Sequence, residues 1–187
     1  MAYSQRASKR GSSARTRGAT LLTCERDGLL FAEPAGRRPR SVSPAPVFLG
    51  SLLAGALIHS AVLPLPFPLP RSTTLAAGGV LVVASLALFA ASIRLFRATG
   101  QHPRPWLPTP SLIVEGPYRF SRNPLYVAMT LVQLGLGLLL DDAWIVAFSA
   151  VSLGVVHFIA VRPEEAYLLG RFREPYRRYL ASVRRYL

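Results

Sequence analysis

The sequence predicts an all-α fold: an integral membrane helical bundle of about four transmembrane helices, followed by amphipathic helices at the C-terminal end. Three observations carry this. Apolar residues make up 51% of the chain, but they gather in blocks between residues 47 and 161, while 1–46 and 162–187 are polar and basic. A soluble globule has a similar apolar content but spreads it evenly, so the segregation points to a bilayer and the total does not. The arginines flank alternate ends of the blocks, and the last segment repeats its apolar residues at helical spacing.

Residues 1–46 are rich in Ser, Arg, Gly, Ala and Pro without a sustained period, and are expected to form a disordered basic tail. Such a tail is dispensable, or binds lipid or regulates; its composition does not choose. The first apolar run begins only near Val47, too late for a cleaved leader. Cys24 is the only cysteine, which excludes an intramolecular disulfide and any cysteine-rich metal centre; no metal site is expected.

The membrane domain is read as 47–187. Its first block, 47–63, is uncharged and short for a span of ~20 residues. It ends in the Pro-rich run 63–70, which cannot continue a helix because proline lacks the N–H and clashes with the preceding turn. The second block, 74–96, carries Arg94 near its end, followed by Arg97, where long side chains reach headgroups. A proline-rich connection, 98–122, is long for a simple link and so is expected to be functional or disordered. The third block, 125–140, is entered through Asn123-Pro124 and left through a tight turn at Asp141-Asp142. The fourth, 143–161, starts with Trp144 at an interfacial position. In the C-terminal segment Leu168, Phe172, Tyr176, Leu180, Val183 and Leu187 recur every three or four residues. Pro175 divides that pattern into helices at about 163–173 and 175–185. Counting arginines by side, the positive-inside rule puts both termini and the 98–122 connection in the cytoplasm.

Two polar clusters flank spans on this side. One is Gly116-Pro117-Tyr118-Arg119-Phe120-Ser121-Arg122-Asn123-Pro124-Leu125-Tyr126. The other begins at Arg162-Pro163-Glu164-Glu165 and runs through Phe172, Tyr176 and Tyr179. Each has a structural reading as well as a functional one. Asn123 and Pro124 suit a helix cap and first turn, the arginines suit membrane anchors, and Glu164 and Glu165 suit a helix N-terminus. Separately, neither cluster identifies an activity.

Together they resemble the isoprenylcysteine carboxyl methyltransferase and phospholipid methyltransferase superfamily of integral membrane enzymes. Bacterial members read G-P-Y/F-R-x-x-R-N/H-P-x-Y before one span and E-E-x-x-L-x-x-x-F-G-x-x-Y-x-x-Y after the next. The matching residues are Gly116, Pro117, Tyr118, Arg119, Arg122, Asn123, Pro124 and Tyr126, then Glu164, Glu165, Leu168, Phe172, Tyr176 and Tyr179. The resemblance covers about residues 74–187, and the pairing of the two motifs makes it specific. Arg173 stands where the family has Gly, and Asn123 where eukaryotic members have His.

The resemblance implies methyl transfer from S-adenosylmethionine at the cytoplasmic face of the bacterial inner membrane. Glu164 or Glu165 would accept hydrogen bonds from ribose hydroxyls or the cofactor's ammonium group. Arg122 or Arg119 would hold its carboxylate, with Tyr118, Tyr126 and Phe172 against the adenine and Asn123 and Pro124 completing the cofactor set. Arg119, Glu165 and Tyr176 are the catalytic candidates. A carboxylate acceptor needs no base; a thiol or amine is helped by Glu165, Tyr176 or His102. The acceptor is a lipophilic or small molecule, in a prenylcysteine, lipid amine or thiol class, and the partners are membrane lipids. His59 and His157, within apolar blocks and without ligand spacing, are expected to be packed and hydrogen-bonded. No phosphate loop or dinucleotide motif occurs. The alternatives are a non-catalytic membrane scaffold or transport component, and a nucleic-acid binder. The latter is disfavoured because the arginines already sit where the positive-inside rule puts them.

Overall fold

In the computed structural model the described residues are 29–31 (backbone only), 43–100 and 111–186. His102 and most of the 1–46 tail lie outside them. The described residues are mostly helical. In order come β1 (Leu29–Phe31), α1 (Ala45–Ala61), α2 (Arg71–Ala98), β2 (Ser111–Ile113), a 3₁₀ turn (Gly116–Arg119), α3 (Pro124–Leu140), α4 (Ala143–Val156), a π-helical turn (His157–Val161), α5 (Arg162–Phe172) and α6 (Glu174–Ser182).

The four apolar blocks are the four principal helices, with ends shifted by a few residues. Among the described residues two helices are long and apolar enough to cross a bilayer: α2, and the continuous run Ala143–Phe172. The apolar helices α1 and α3 have 17 residues each. α2 packs along α3, and α1 along α4, with α3 and α4 joining the two pairs.

The bundle is apolar outside and small or polar between helices. Leu49, Leu53, Leu57, Val80, Val83, Leu86, Phe89, Val151 and Phe158 are exposed, whereas the buried residues of α2 are Thr74, Gly78, Ser85 and Ser92. Small residues let backbones approach when burial of apolar surface is not what drives helix association. A Cβ on Gly78 would lie 2.8 Å from the Gly135 carbonyl oxygen, and one on Gly135 2.9 Å from the Gly78 carbonyl oxygen. Ser85 donates to the Ala128 carbonyl across the same interface at 2.7 Å. Between α1, α3 and α4 the buried Gln133 amide bonds the Ser51 hydroxyl at 3.1 Å and accepts from Ser152 at 3.3 Å, and Ser51 and Ser152 also bond each other.

At one end of the bundle the Pro-rich segment is tied to the α3–α4 turn. Asp141 takes the left-handed conformation (φ 57°) that closes α3 and accepts the Phe67 N–H at 3.0 Å. Asp142 caps α4 by accepting the Trp144 and Ile145 N–H groups at 2.9 and 3.2 Å. The Trp144 indole donates to the Leu63 carbonyl, and Arg71 to those of Leu138 and Leu139. His59 sits here, accepting the Leu65 N–H at 3.4 Å.

The opposite end differs from the sequence reading in four respects. Residues 29–31, within the segment read as a disordered tail, pair antiparallel with 111–113 in a two-stranded ladder, the one addition to the helical fold among the described residues. The fourth block and the helix expected at 163–173 are one continuous helix. Pro163 has no N–H to offer, and the Arg162 N–H instead bonds the His157 carbonyl, so a wider π turn carries the helix past the proline. Glu164 and Glu165 therefore do not sit at a free helix N-terminus. Asn123 occupies the cap position of α3, but its side chain makes no cap bond. Finally, the helix expected at 175–185 ends at Ser182, where Val183 turns extended (φ −123°, ψ 135°) and the backbone bridges to Ser121.

Candidate functional site

The two motifs meet at this second end. Gly116 takes φ 55°, which a glycine adopts without strain, and Pro117 fixes φ at the second residue of the 3₁₀ turn. That turn sets the Tyr118 ring edge-on to Phe96 of α2 at 6.0 Å. Pro124 then starts α3 and brings Tyr126 inward, where its hydroxyl donates to Glu164 at 3.2 Å.

Glu165, one residue further along α5, lies between two guanidinium groups. Arg122 NH1 is 3.2 Å from Oε1. Arg185 grips the same carboxylate in a fork, Nε at 3.1 Å from Oε1 and NH2 at 2.8 Å from Oε2. The Arg122 and Glu165 side chains are 11% and 14% exposed, the Arg185 side chain 40%. The bond to Glu165 raises the Arg185 pKa further above its already high value. The Arg122 Nε is buried and has no hydrogen-bond partner among the described residues.

A cluster of Leu112, Phe172, Tyr176 and Tyr179 closes the site from the side of α6 and β2. The Tyr179 hydroxyl donates to the Tyr118 carbonyl at 2.7 Å, tying α6 to the first motif. Burial pushes the hydroxyls of Tyr118, Tyr176 and Tyr179 well above the ordinary tyrosine value. Glu164 adds to the rise at Tyr118 and Glu165 to that at Tyr176, while Arg122 opposes it at Tyr176 and Tyr179. These three are neutral hydroxyls at physiological pH.

Of the residues expected from sequence, Tyr118, Arg122, Asn123, Pro124, Tyr126, Glu164, Glu165, Phe172 and Tyr176 are gathered at this end. Arg119 is exposed at the end of the 3₁₀ turn and is not drawn into the ion-pair cluster. His157 is hydrogen-bonded through Nδ1 to the Tyr186 hydroxyl at 2.9 Å. The residues that sequence reasoning missed are Ser121 and the tail 183–186. The Arg122 N–H donates to the Arg184 carbonyl at 3.0 Å, and the Asn123 amide and Ser121 hydroxyl donate to that of Arg185 at 3.0 and 3.4 Å. The available signal was Val183, a β-branched residue at the end of a short amphipathic helix, followed by two arginines with too few acids nearby to explain them. Among the described residues no three His, Cys, Asp or Glu side chains are placed to hold a metal.

A chain whose described residues are mostly helical, with two candidate membrane-crossing helices among them and paired acidic and arginine motifs at one end, has the build of a membrane methyltransferase. The phospholipid methyltransferase family model matches residues 73–174, more than half of the chain, and the protein belongs to that family. Over 64 residues the chain is also 33% identical to the cobalt-zinc-cadmium resistance protein CzcN of Cupriavidus metallidurans. That stretch is 34% of this chain and 30% of the relative, so the match spans less than a third of the relative's length.

Proposed function

We propose that the protein is an S-adenosylmethionine-dependent methyltransferase of the bacterial inner membrane. On this reading it has four spans and methylates a lipophilic acceptor at the cytoplasmic face. The observation that carries this is the meeting of Arg122 and Tyr126 from the first motif with Glu165 and Glu164 from the second. The residues suit the cofactor. A buried guanidinium N–H without a partner costs roughly 1–3 kcal/mol, and the Arg122 Nε is free to receive the cofactor carboxylate. Glu164 and Glu165 can accept from its ammonium and ribose hydroxyls, and Phe172 offers an apolar face to the adenine. Bound S-adenosylmethionine supplies an electrophilic methyl group on a sulfonium.

The chain's own part is alignment and exclusion of water. The neutral hydroxyls of Tyr118, Tyr176 and Tyr179 line the site without adding charge, and the Leu112–Phe172–Tyr176 packing covers it. Tyr176 stays protonated, which suits it to hold a hydrogen bond to the acceptor and not to remove a proton. The apolar exterior of α1, α2 and α4 gives a lipophilic acceptor a route from the bilayer. At 17 residues α1 and α3 are ~25 Å long, short of a ~30 Å hydrocarbon core, so they cross only where the bilayer thins or their flanks snorkel. Exposed Arg94, Arg97, Arg119, Arg162, Arg177, Arg178 and Arg184 lie at the site's end, against Arg71 with Asp141 and Asp142 at the other. This charge distribution supports a cytoplasmic site.

Calorimetry of the detergent-purified protein with S-adenosylmethionine tests the reading. Micromolar binding, lost in a Glu164→Ala/Glu165→Ala variant, is expected. A folded wild type that binds none, with or without added lipid, would leave a non-catalytic membrane scaffold as the better account. A reporter fused after residue 187 should be active only in the cytoplasm.

A further inference from the structure

The tail 183–186 crosses the site at the point where its two motifs join. Its backbone accepts three hydrogen bonds from Ser121, Arg122 and Asn123, and its Tyr186 hydroxyl is bonded to His157 at the π turn. Its Arg185 is absent from the motifs that define the site, yet it makes the densest contact there. Glu165 Oε1 receives Arg122 NH1 and Arg185 Nε, and Oε2 receives Arg185 NH2 and Nε. Both oxygens are engaged, so a further cation at Glu165 must displace one of the two.

The two guanidiniums are not equivalent. Arg122 is 11% exposed and its own N–H is fixed to the Arg184 carbonyl; stripped of Glu165, it would be a buried charge without compensation. Arg185 is 40% exposed and returns to water at little cost. Arg185 is therefore the group that leaves.

We propose that residues 183–186 form a strap over the cofactor site, with Arg185 as its catch, and that Glu165 exchanges this guanidinium for the cofactor's ammonium group when the site loads. The inference rests on the S-adenosylmethionine reading above. The carboxylate keeps two cationic partners before and after the exchange, so loading leaves no charge stranded. The inner pair with Arg122 persists throughout and keeps α5 registered on α3. Release of Arg185 loosens the bonds that the Arg184 and Arg185 carbonyls accept, so that the cofactor would enter beneath the lifted tail.

The catch makes a prediction opposite to that of a structural wall. If Arg185 competes with the cofactor for Glu165, its removal tightens binding; if it only shapes the site, its removal weakens binding. The experiment uses the full chain in detergent, as wild type, Arg185→Gln and Arg185→Lys, with calorimetry against S-adenosylmethionine. Hydrogen exchange of the peptide containing the Arg122 amide, whose acceptor is the Arg184 carbonyl, is followed without cofactor. We expect Arg185→Gln to bind about fivefold more tightly, equivalent to ~1 kcal/mol, and its Arg122 amide to exchange faster by a similar factor. Arg185→Lys, which restores a cation without the fork, should move both readouts back toward wild type. Weaker binding by Arg185→Gln would overturn the catch, as would unchanged exchange at Arg122. A wild type that binds no S-adenosylmethionine while Arg185→Gln still speeds the exchange would overturn the cofactor reading, and with it the exchange of cations. A wild type that binds while the variant changes neither readout would overturn the strap and leave the methyltransferase reading intact.

Discussion

Arg173 links α5 to α6 at φ 49°, ψ −117°, a conformation that suits glycine and not an L side chain. Its N–H still bonds the Leu169 carbonyl and its carbonyl accepts from Arg177, so the turn is complete despite the side chain. A non-glycine residue held in so sparse a region costs roughly 1–3 kcal/mol. Replacing it by glycine removes that cost but frees the unfolded chain, which returns about 0.4–1 kcal/mol. The side chain is exposed, so little packing is lost. Arg173→Gly should therefore stabilise the protein by about 1 kcal/mol. The assay is equilibrium denaturant unfolding in detergent followed by far-ultraviolet circular dichroism. Arg173→Ala is the control, since it removes charge but keeps the Cβ and should gain nothing. A glycine variant no more stable than the alanine variant would refute the strain argument.

Other expectations follow from the same geometry. Glu165→Gln strands a buried guanidinium and should cost about 3 kcal/mol, and adding Arg122→Met should recover most of that loss; strictly additive losses in unfolding titrations would contradict the buried pair. The raised hydroxyl of Tyr176 is protonated in the folded state above pH 10, where an unfolded tyrosine ionises; stability should hold below that pH, fall above it, and fall less steeply in Tyr176→Phe. Gly78→Leu would drive a side chain into the Gly135 carbonyl and should cost at least ~1–3 kcal/mol, whereas Gly79→Leu, with open space around its Cβ, should be near neutral in thermal unfolding.

The helices were legible in the sequence because each is a local matter of uncharged runs and punctuation. Asp141-Asp142 marked a turn, and the structure shows the two acids closing one helix and opening the next. The conjunction of the motifs was legible too, because each residue sits at a helix end that the up-and-down topology returns to the same side. What was hidden depends on partners distant in sequence. Nothing near Asn123 says that its amide is drawn away from the helix cap to a carbonyl at Arg185. Glu164 and Glu165 look interchangeable as letters, yet one meets a tyrosine hydroxyl and the other two guanidiniums. Pro163 suggested a boundary where the helix only widens. Arg173 is the converse case: sequence comparison with the family marked it as an oddity, and its positive φ explains why glycine is usual there.

The widened turn at His157–Val161 also sets the rotational phase of the site. Each residue added to or removed from a helix turns everything beyond it by about 100°. The turn therefore acts as a spacer that aims Glu164 and Glu165 at Tyr126 and Arg122, while α4 keeps its own face on α1. Deleting one residue from it would leave every apolar block and both motifs intact as strings of letters. The two acids would nevertheless point a quarter-turn away from their partners.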